Sequence, residues 1–520
     1  MSKIIVKNSC IMITDYELGQ CTKIENCFRM YNMITHQYYY IAMYYDNENK
    51  ILYLPRGIDI WFLEKQLGVS ATVEKNQFNP FDKYDDILIK YLPRDDVQKE
   101  ALRFTLGKEE YSSTINKSQL SVNLNTGKGK TYVSIATTSF FGIKSAIITY
   151  SKSWLEQWKK CIIEYTNITP REVYLVDGTP SILRLLEKGE SYIRQIKVFL
   201  FTHATIKSFG DSHGWNAISE LFKHLRIGIK IFDEAHLNFE NMCMIDFFTN
   251  VYKTYYLTAT AVRSSEDENR IYQMCFKNVL AIDLFNEEED PHTQYIAMKY
   301  NSLPTPLDIS DCKNQYGLDR NKYTNYITKN HQFYMMLTIL MDLLFGKIVK
   351  EDEKVLMYIG TNQSIKEVYE FLVNEYPEFK DDVGIFTSIS ENKQNALSKR
   401  IILSTTKSAG AAVDIKGLKV TVVLAEPFKS EVIARQTLGR TRSAHTYYIE
   451  LVDTGFYYCV KYYNAKLPIF NKYATDCQTI TIGKTELVNR YNSIMAKRTT
   501  MINPIEYTNE YYINPIFYVY

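Results

Sequence analysis

Short runs of β-branched and aromatic residues recur along this chain, separated by stretches long enough for a helix, and that alternation limits the folds open to it. The first series reads "SAIITY" (145–150), "IKVFLFT" (196–202), "IGIKIFDE" (227–234) and "KTYYLTAT" (253–260). Strands joined by helix-length crossovers run parallel, and a parallel sheet is covered by helices on both faces. A second series repeats the pattern: "KVLMYIGT" (354–361), "RIILSTT" (400–406), "VTVVLAEP" (420–427) and "TYYIELVD" (446–453). The sequence therefore predicts two α/β units in tandem.

At 520 residues the chain exceeds a single hydrophobic core and calls for several domains. Up to about residue 90, strands such as "QYYYIAMYY" and "KILYLP" lack the crossover pattern and predict a small α+β domain. The polar stretch from Asp290 to Asn330, with Pro291, Pro304 and Pro306, reads as the junction into the second unit. From about Pro468 no clear periodicity remains, and the end "YYINPIFYVY" is too apolar to stay solvated. The expected divisions are 1–90 (accessory domain, nucleic-acid binding being one reading), 91–288, 289–467 and a C-terminal arm, 468–520, packed on the core.

Composition removes several classes. Hydrophobic residues at 46% and charged residues at 23% suit an ordered globular chain. The formal charge is only +2, from 61 Lys+Arg against 59 Asp+Glu, so any track for a polyanion must be local. Nine scattered cysteines without a CxxC pair speak against a zinc ribbon or a clustered iron–sulfur site. A reduced, cytoplasmic chain is the simpler expectation, in the host cytoplasm if the chain is viral. "MSKIIVKNSC" lacks the apolar core of a signal peptide, and the run Phe333 to Phe345 is too short to span a bilayer and carries Asp342. That run predicts a buried helix, and no membrane partner is expected. The 42 tyrosines, with many Ile, Asn and Lys, are the bias an AT-rich genome produces.

"NLNTGKGKT" (123–131) sits just ahead of "YVSIATTSFF", a helix-length run stopped by Gly142. Glycines let the backbone wrap an anion with its amide N–H groups inward, and the helix N-terminus adds partial positive charge. Thr126, Gly127, Lys128 and Gly129 would form that cradle, Lys130 would reach the β/γ-phosphates of ATP and the Thr131 hydroxyl would coordinate Mg²⁺. Leu124 stands where the longer form of this motif has its first glycine, so the match is to the shorter form. A surface Gly/Lys turn is the bland alternative. "IKIFDEAH" (229–236) is a strand ending in two adjacent carboxylates. Asp233 suits Mg²⁺ holding and Glu234 polarisation of the attacking water, whereas the bland reading is capping of the next helix. Beyond the second series, "ARQTLGRTRSAH" (434–445) offers Arg435, Arg440 and Arg442 as guanidinium donors to a γ-phosphate, or simply as a solvated basic face.

The ordered set "NTGKGKT", "YSKSWLEQW", "FTHAT", "FDEAH", "LTATAVR", "STTKSAGAAVD" and "QTLGRTR" closely resembles the superfamily 2 helicases and translocases over about residues 90–455. "SKSWLEQW" and "QTLGRTR" look most like the DEAH-box helicases of bacteriophages that remodel forks and recombination intermediates. This resemblance implies two RecA-like domains facing one another across an ATP site, an ATPase requiring Mg²⁺, and DNA, single-stranded or branched, as partner. It implies that Gln98 reads adenine and that Ser153, Trp154, Thr202, His203, Thr361 and Thr405 touch the nucleic-acid backbone. Thr258 and Thr260 would couple hydrolysis to strand movement, and Asp414 and Gln436 would join the nucleotide contacts. The family pattern "QxxGRxxR" is met by Gln436, Gly439 and Arg440, but Ser443 stands where the last arginine is expected. Arg440 is then the expected finger and Arg442 a displaced substitute. An RNA helicase would use the same engine, as would a double-strand translocase that does not unwind. A scaffold that keeps the fold without turnover is the rival from another class.

Overall fold

The computed structural model describes residues 2–502, apart from 33–34, 75–76, 125–127, 236, 259–265, 285–291, 316, 388–389, 391, 410–414 and 439–444. The chain divides into two units, Met1–Glu289 and Asp290–Tyr520.

In the first unit seven strands form one parallel sheet. Their order is Val173–Leu175, Val198–Thr202, Ser145–Thr149, Ile229–Phe232, Lys253–Thr258, Gln119–Asn123 and Leu280–Asp283. Every residue of Ser145–Thr149, Val198–Thr202 and Lys253–Thr258 is buried, as a sheet covered on both faces requires. The second unit carries another seven-stranded parallel sheet, in the order Val383–Phe386, Ile401–Ser404, Lys354–Ile359, Leu418–Ala425, Thr446–Asp453, Thr293–Tyr300 and Asp476–Thr481. These are two tandem RecA-like domains, preceded by a small α+β domain.

That N-terminal domain has its own mixed sheet, Tyr44–Asp46, Ile51–Pro55, Cys10–Thr14, Lys3–Val6 and Ala71–Val73. Only the last pair is parallel. Ile4, Ile11, Ile13, Leu52 and Leu54 are fully buried in a cluster that continues into the helix Phe239–Phe248 of the neighbouring domain. The Tyr53 ring lies 5.1 Å from that of Phe248. Burial of such side chains contributes about 1.5–3 kcal/mol each, so this layer and the first RecA-like domain are held by one core.

Two sequence expectations need correction. The stretch after Asp290 is more than a junction, because Thr293–Tyr300 is an interior strand paired with Thr446–Asp453 on one side and Asp476–Thr481 on the other. Its run "TQYIAMKY" was obscured by the prolines that flank it. Pro468 lies inside the helix Tyr457–Tyr473, so a boundary there cuts an element. The segment beyond is regular: the edge strand Asp476–Thr481, half polar because one side faces solvent, then the helix Lys484–Ile502 against His331–Leu343. The final "YYINPIFYVY" lies outside the described residues.

The run from Phe333 is helical, within His331–Leu343, and buries Phe333, Met336, Leu337 and Leu340 completely. Among the described residues no helix is long and apolar enough to cross a membrane. All nine cysteines are free thiols.

Candidate functional site

The carboxyl ends of the first sheet's strands carry most of the residues singled out in that unit, as ligand sites in parallel sheets do. The strand Gln119–Asn123 leads toward the glycine turn, and the helix Lys130–Phe141 starts directly after Gly129. Gly129 has φ +91°, and a Cβ there would come within 2.1 Å of Gln98 Nε2. Only glycine fits both the conformation and the space.

Gln98 is itself buried and committed: its Oε1 accepts from the Arg94 N–H at 2.8 Å and its Nε2 donates to the Lys128 carbonyl at 3.2 Å. The residue expected to read adenine thus braces the cradle from outside. Thr126 and Gly127 lie outside the described residues, and Thr131, in the first turn of the helix, is half-buried.

Lys130 and Glu234 form a buried ion pair, Nζ to Oε1 at 2.8 Å, with side-chain exposures of 9% and 7%. At that burial neither charge is stable alone, so each neutralises the other. Glu234 adopts φ +49°, a left-handed backbone that costs a non-glycine residue about 1–3 kcal/mol and collects at functional sites. Asp233 precedes it, and its N–H donates to the Ile148 carbonyl at 3.0 Å across the sheet. Burial, reinforced by the charge of Glu234, pushes the Asp233 carboxyl up to about 6; Lys130 and a hydrogen bond from Trp158 oppose the rise.

Trp158 was not singled out from the sequence. Its Nε1–H donates to Asp233 Oδ2 at 2.8 Å from the buried face of the helix Lys152–Tyr165. A tryptophan spaced with Trp154, Leu155 and Ile162 reads as core, and only the fold brings its one polar atom to the carboxylate.

The expected nucleic-acid contacts divide. Thr202, Thr361 and Thr405 each cap a helix, their hydroxyls accepting the N–H of Thr205, Ser364 and Ser408, all at 3.1 Å. Such caps contribute about 1 kcal/mol each. Ser153 is half-buried and hydrogen-bonded to Ser151 at 2.7 Å. The side chains of Trp154 and His203, at 1% and 0% exposure, are turned into the core. His203 instead stacks on Phe232, centroids 5.6 Å apart, and neither of its ring nitrogens has a hydrogen-bond partner. Burial holds its pKa down to about 4.

Thr258 is buried at the end of its strand, and its carbonyl accepts the N–H of Leu124 at 3.1 Å, tying that strand to the entrance of the cradle. Thr260, Asp414, Arg440 and Arg442 lie outside the described residues, as does the side chain of Gln436. Arg435 sits 4.7 Å from the Tyr473 ring centroid, so part of that basic face is structural. Elsewhere in the second unit a groove of about 510 Å³ opens beside Asn362, Lys366, Asn395 and Lys399.

Residues 92–263 match the family described as Type III restriction enzyme, res subunit. No curated protein matches the chain significantly. Among solved structures, S. cerevisiae Dbp5 bound to RNA and ADP BeF3 is similar at 15% identity and TM-score 0.50, over 77% of this chain and 92% of that one. The type ISP restriction-modification enzyme LlaBIII bound to DNA gives 14% identity and TM-score 0.50, over 79% of this chain but 33% of that one. T4 UvsW aligns over 92% of this chain and 99% of its own at 14% identity and TM-score 0.35. The likeness to Dbp5 and LlaBIII is one of fold, that of two tandem RecA-like domains.

Proposed function

We propose that this chain is an ATP-dependent DNA motor of the phage DEAH-box type, which couples hydrolysis to unwinding or to remodelling of branched DNA. The observation that carries the reading is the buried Lys130–Glu234 pair, set beside Asp233 and a cradle that only Gly129 can complete. A carboxylate that merely capped a helix would have no reason to meet a lysine from the glycine turn inside the protein.

Glu234 holds the Lys130 ammonium that the β/γ-phosphates of ATP would take. Phosphate entry competes for Lys130 and releases the Glu234 carboxylate, which then orients water for attack on the γ-phosphate. Thr126, Gly127, Lys128 and Gly129 would supply inward amides, Gln98 braces Lys128 from behind, and Asp414 and Gln436 would join the nucleotide contacts. Thr131 and Asp233 fit Mg²⁺ and would hold it; when bound, the ion shields charge on the phosphates. Asp233 is oriented for this by the Trp158 N–H. Arg440, with Arg442 secondary, would donate to the γ-phosphate. Thr258 and Thr260 transmit the change to a strand held at Ser153 and at the helix N-termini after Thr202, Thr361 and Thr405. Contacts of that kind grip phosphate and ignore sequence, as a motor needs. The free thiols accord with a reducing cytoplasm, that of the host for a viral chain.

An RNA helicase or a duplex translocase would share every one of these parts. Phosphate release measured with single-stranded, forked and duplex DNA and with RNA separates them, and forked or single-stranded DNA is expected to stimulate most. Lys130→Ala should remain folded and lose the stimulated hydrolysis. Normal turnover in that variant would overturn the assignment of the site.

A further inference from the structure

The strands Arg29–Asn32 and Gln37–Tyr40 form a two-stranded ribbon that joins neither the N-terminal sheet nor the large one. Its base is fixed: Phe28 and Ile41 are buried in the shared core, and the Ile41 N–H donates to the Phe28 carbonyl at 3.0 Å. Above that base the whole of Gln37–Tyr40 is exposed, with Tyr31, Tyr38, Tyr39 and Tyr40 at 42%, 58%, 41% and 37%. A hairpin wet on both faces is marginal by itself, and four tyrosines left in water forgo the stabilisation their burial would bring. Composition alone does not explain this, since other tyrosines of the chain, such as Tyr16, Tyr295 and Tyr448, are fully buried.

The register sorts the side chains. Tyr31 opposes Tyr38 and Arg29 opposes Tyr40, so these four share one face. The Tyr31 and Tyr38 rings are 5.0 Å apart, the Arg29 guanidinium lies 3.5 Å from the Tyr38 centroid, and the Tyr31 hydroxyl is hydrogen-bonded to His36 Nδ1 at 3.1 Å. Segment 27–43 contains no Asp or Glu, although the chain has 59 acidic residues. Aromatic faces beside a fixed cation, and cleared of carboxylates, complement a polyanion that also offers planar rings.

We infer that this ribbon is a stacking platform for the unpaired bases of a single-stranded nucleic acid, with Arg29 and His36 meeting the adjoining phosphates. Duplex bases already stack on one another, so only a single strand presents free faces to Tyr31 and Tyr38. The sequence between the two strands carries Met33 and Ile34 beside the polar Thr35 and His36, so the preference for bases comes from the face of Arg29, Tyr31 and Tyr38. The inference rests on the nucleic-acid reading above and gives the N-terminal domain its part in it.

The test uses the full chain without nucleotide and compares oligo(dT) with an abasic oligonucleotide of equal length by fluorescence anisotropy. Base stacking of this kind makes each ring lost by alanine substitution cost roughly five- to a hundredfold in oligo(dT) affinity. Tyr31→Ala and Tyr38→Ala should therefore bind oligo(dT) more weakly by such factors, bind the abasic strand as before and keep the salt dependence. Tyr38→Phe, which retains the ring, should bind like the parent. Arg29→Ala should lower the salt slope by about 0.7, the value for one phosphate contact on a single strand. Equal affinity for the two oligonucleotides in the parent, or alanine variants that bind oligo(dT) as tightly as the parent, overturns the platform and leaves the ribbon to a protein partner. A parent chain that binds neither oligonucleotide and is not stimulated by DNA or RNA fails the proposed function as well.

Discussion

Replacing Glu234 by Gln tests the competition at the heart of the proposed cycle. The substitution keeps the side chain's shape and a hydrogen-bond acceptor for Lys130, 2.8 Å away, but removes the charge that neutralises an ammonium only 9% exposed. Breaking a buried ion pair from one side typically costs about 3–5 kcal/mol, and the retained amide oxygen should hold the loss near the lower figure. The nucleotide-free variant is therefore expected to melt several degrees below the parent. ATP faces the opposite balance, because its phosphates no longer displace a carboxylate from Lys130. Loss of the carboxylate's charge weakens that competing contact, and a weakening of about 1.4 kcal/mol corresponds to ATP binding roughly tenfold tighter. Hydrolysis should stop, since the amide cannot organise water as the carboxylate does. Calorimetric titration with ATP, thermal melts with and without it, and phosphate release read all three consequences on one preparation. A variant that binds ATP no tighter and melts unchanged without nucleotide would show that the Lys130–Glu234 pair does not gate the site.

Three further substitutions probe its surroundings. Gly129→Ala forces a Cβ to within 2.1 Å of Gln98 Nε2 at φ +91°, and because Gln98 is pinned by two hydrogen bonds, ATP affinity should fall at least tenfold, on the order of 1.4 kcal/mol, in a titration. Trp158→Phe keeps a ring but removes the 2.8 Å hydrogen bond to Asp233, so kcat should drop by about tenfold or more while ATP binding holds; an unchanged kcat would remove Trp158 from the positioning of that carboxylate. His203 has a pKa near 4 in the fold against an ordinary 6.5, so between those values the unfolded chain binds the extra proton and stability is lost as pH falls. That depression amounts to about 3 kcal/mol, and His203→Phe, which keeps the stack on Phe232, should flatten the parent's loss of stability between about pH 6.5 and 4 in urea melts.

Much of this architecture is legible in the sequence because parallel strands buried on both faces must be continuous apolar runs. "SAIITY" and "KVLMYIGT" have no other comfortable fate, and both became interior strands. The reading failed where a strand is only half covered or is flanked by turn residues. Asp476–Thr481 is an edge strand with exposed polar positions, and Thr293–Tyr300 begins close after Pro291, so neither shows the uninterrupted run that marks the others. The site divides in the same way. Glycine in a left-handed turn, a lysine behind it and two carboxylates at a strand end each follow from local chemistry, whereas Trp158 depends on a contact 75 residues distant that no local pattern encodes.

The same contrast separates the threonines from the two aromatic side chains once grouped with them. A hydroxyl that follows a strand and precedes a helix caps that helix whether or not a strand of nucleic acid lies over it, so Thr202, Thr361 and Thr405 are fixed by folding first. After Thr405 even the next amide is committed, since the Thr406 N–H donates to the buried Glu426 carboxylate at 2.9 Å. Trp154 and His203, beside such hydroxyls in the sequence, turn inward because their rings are needed in the core. Neighbouring residues in a motif are thus divided by the sheet between holding the fold and offering it to a ligand. On the inference drawn above, stacking on bases would fall instead to rings that face solvent beside a cation, as Tyr38 does beside Arg29 in the ribbon.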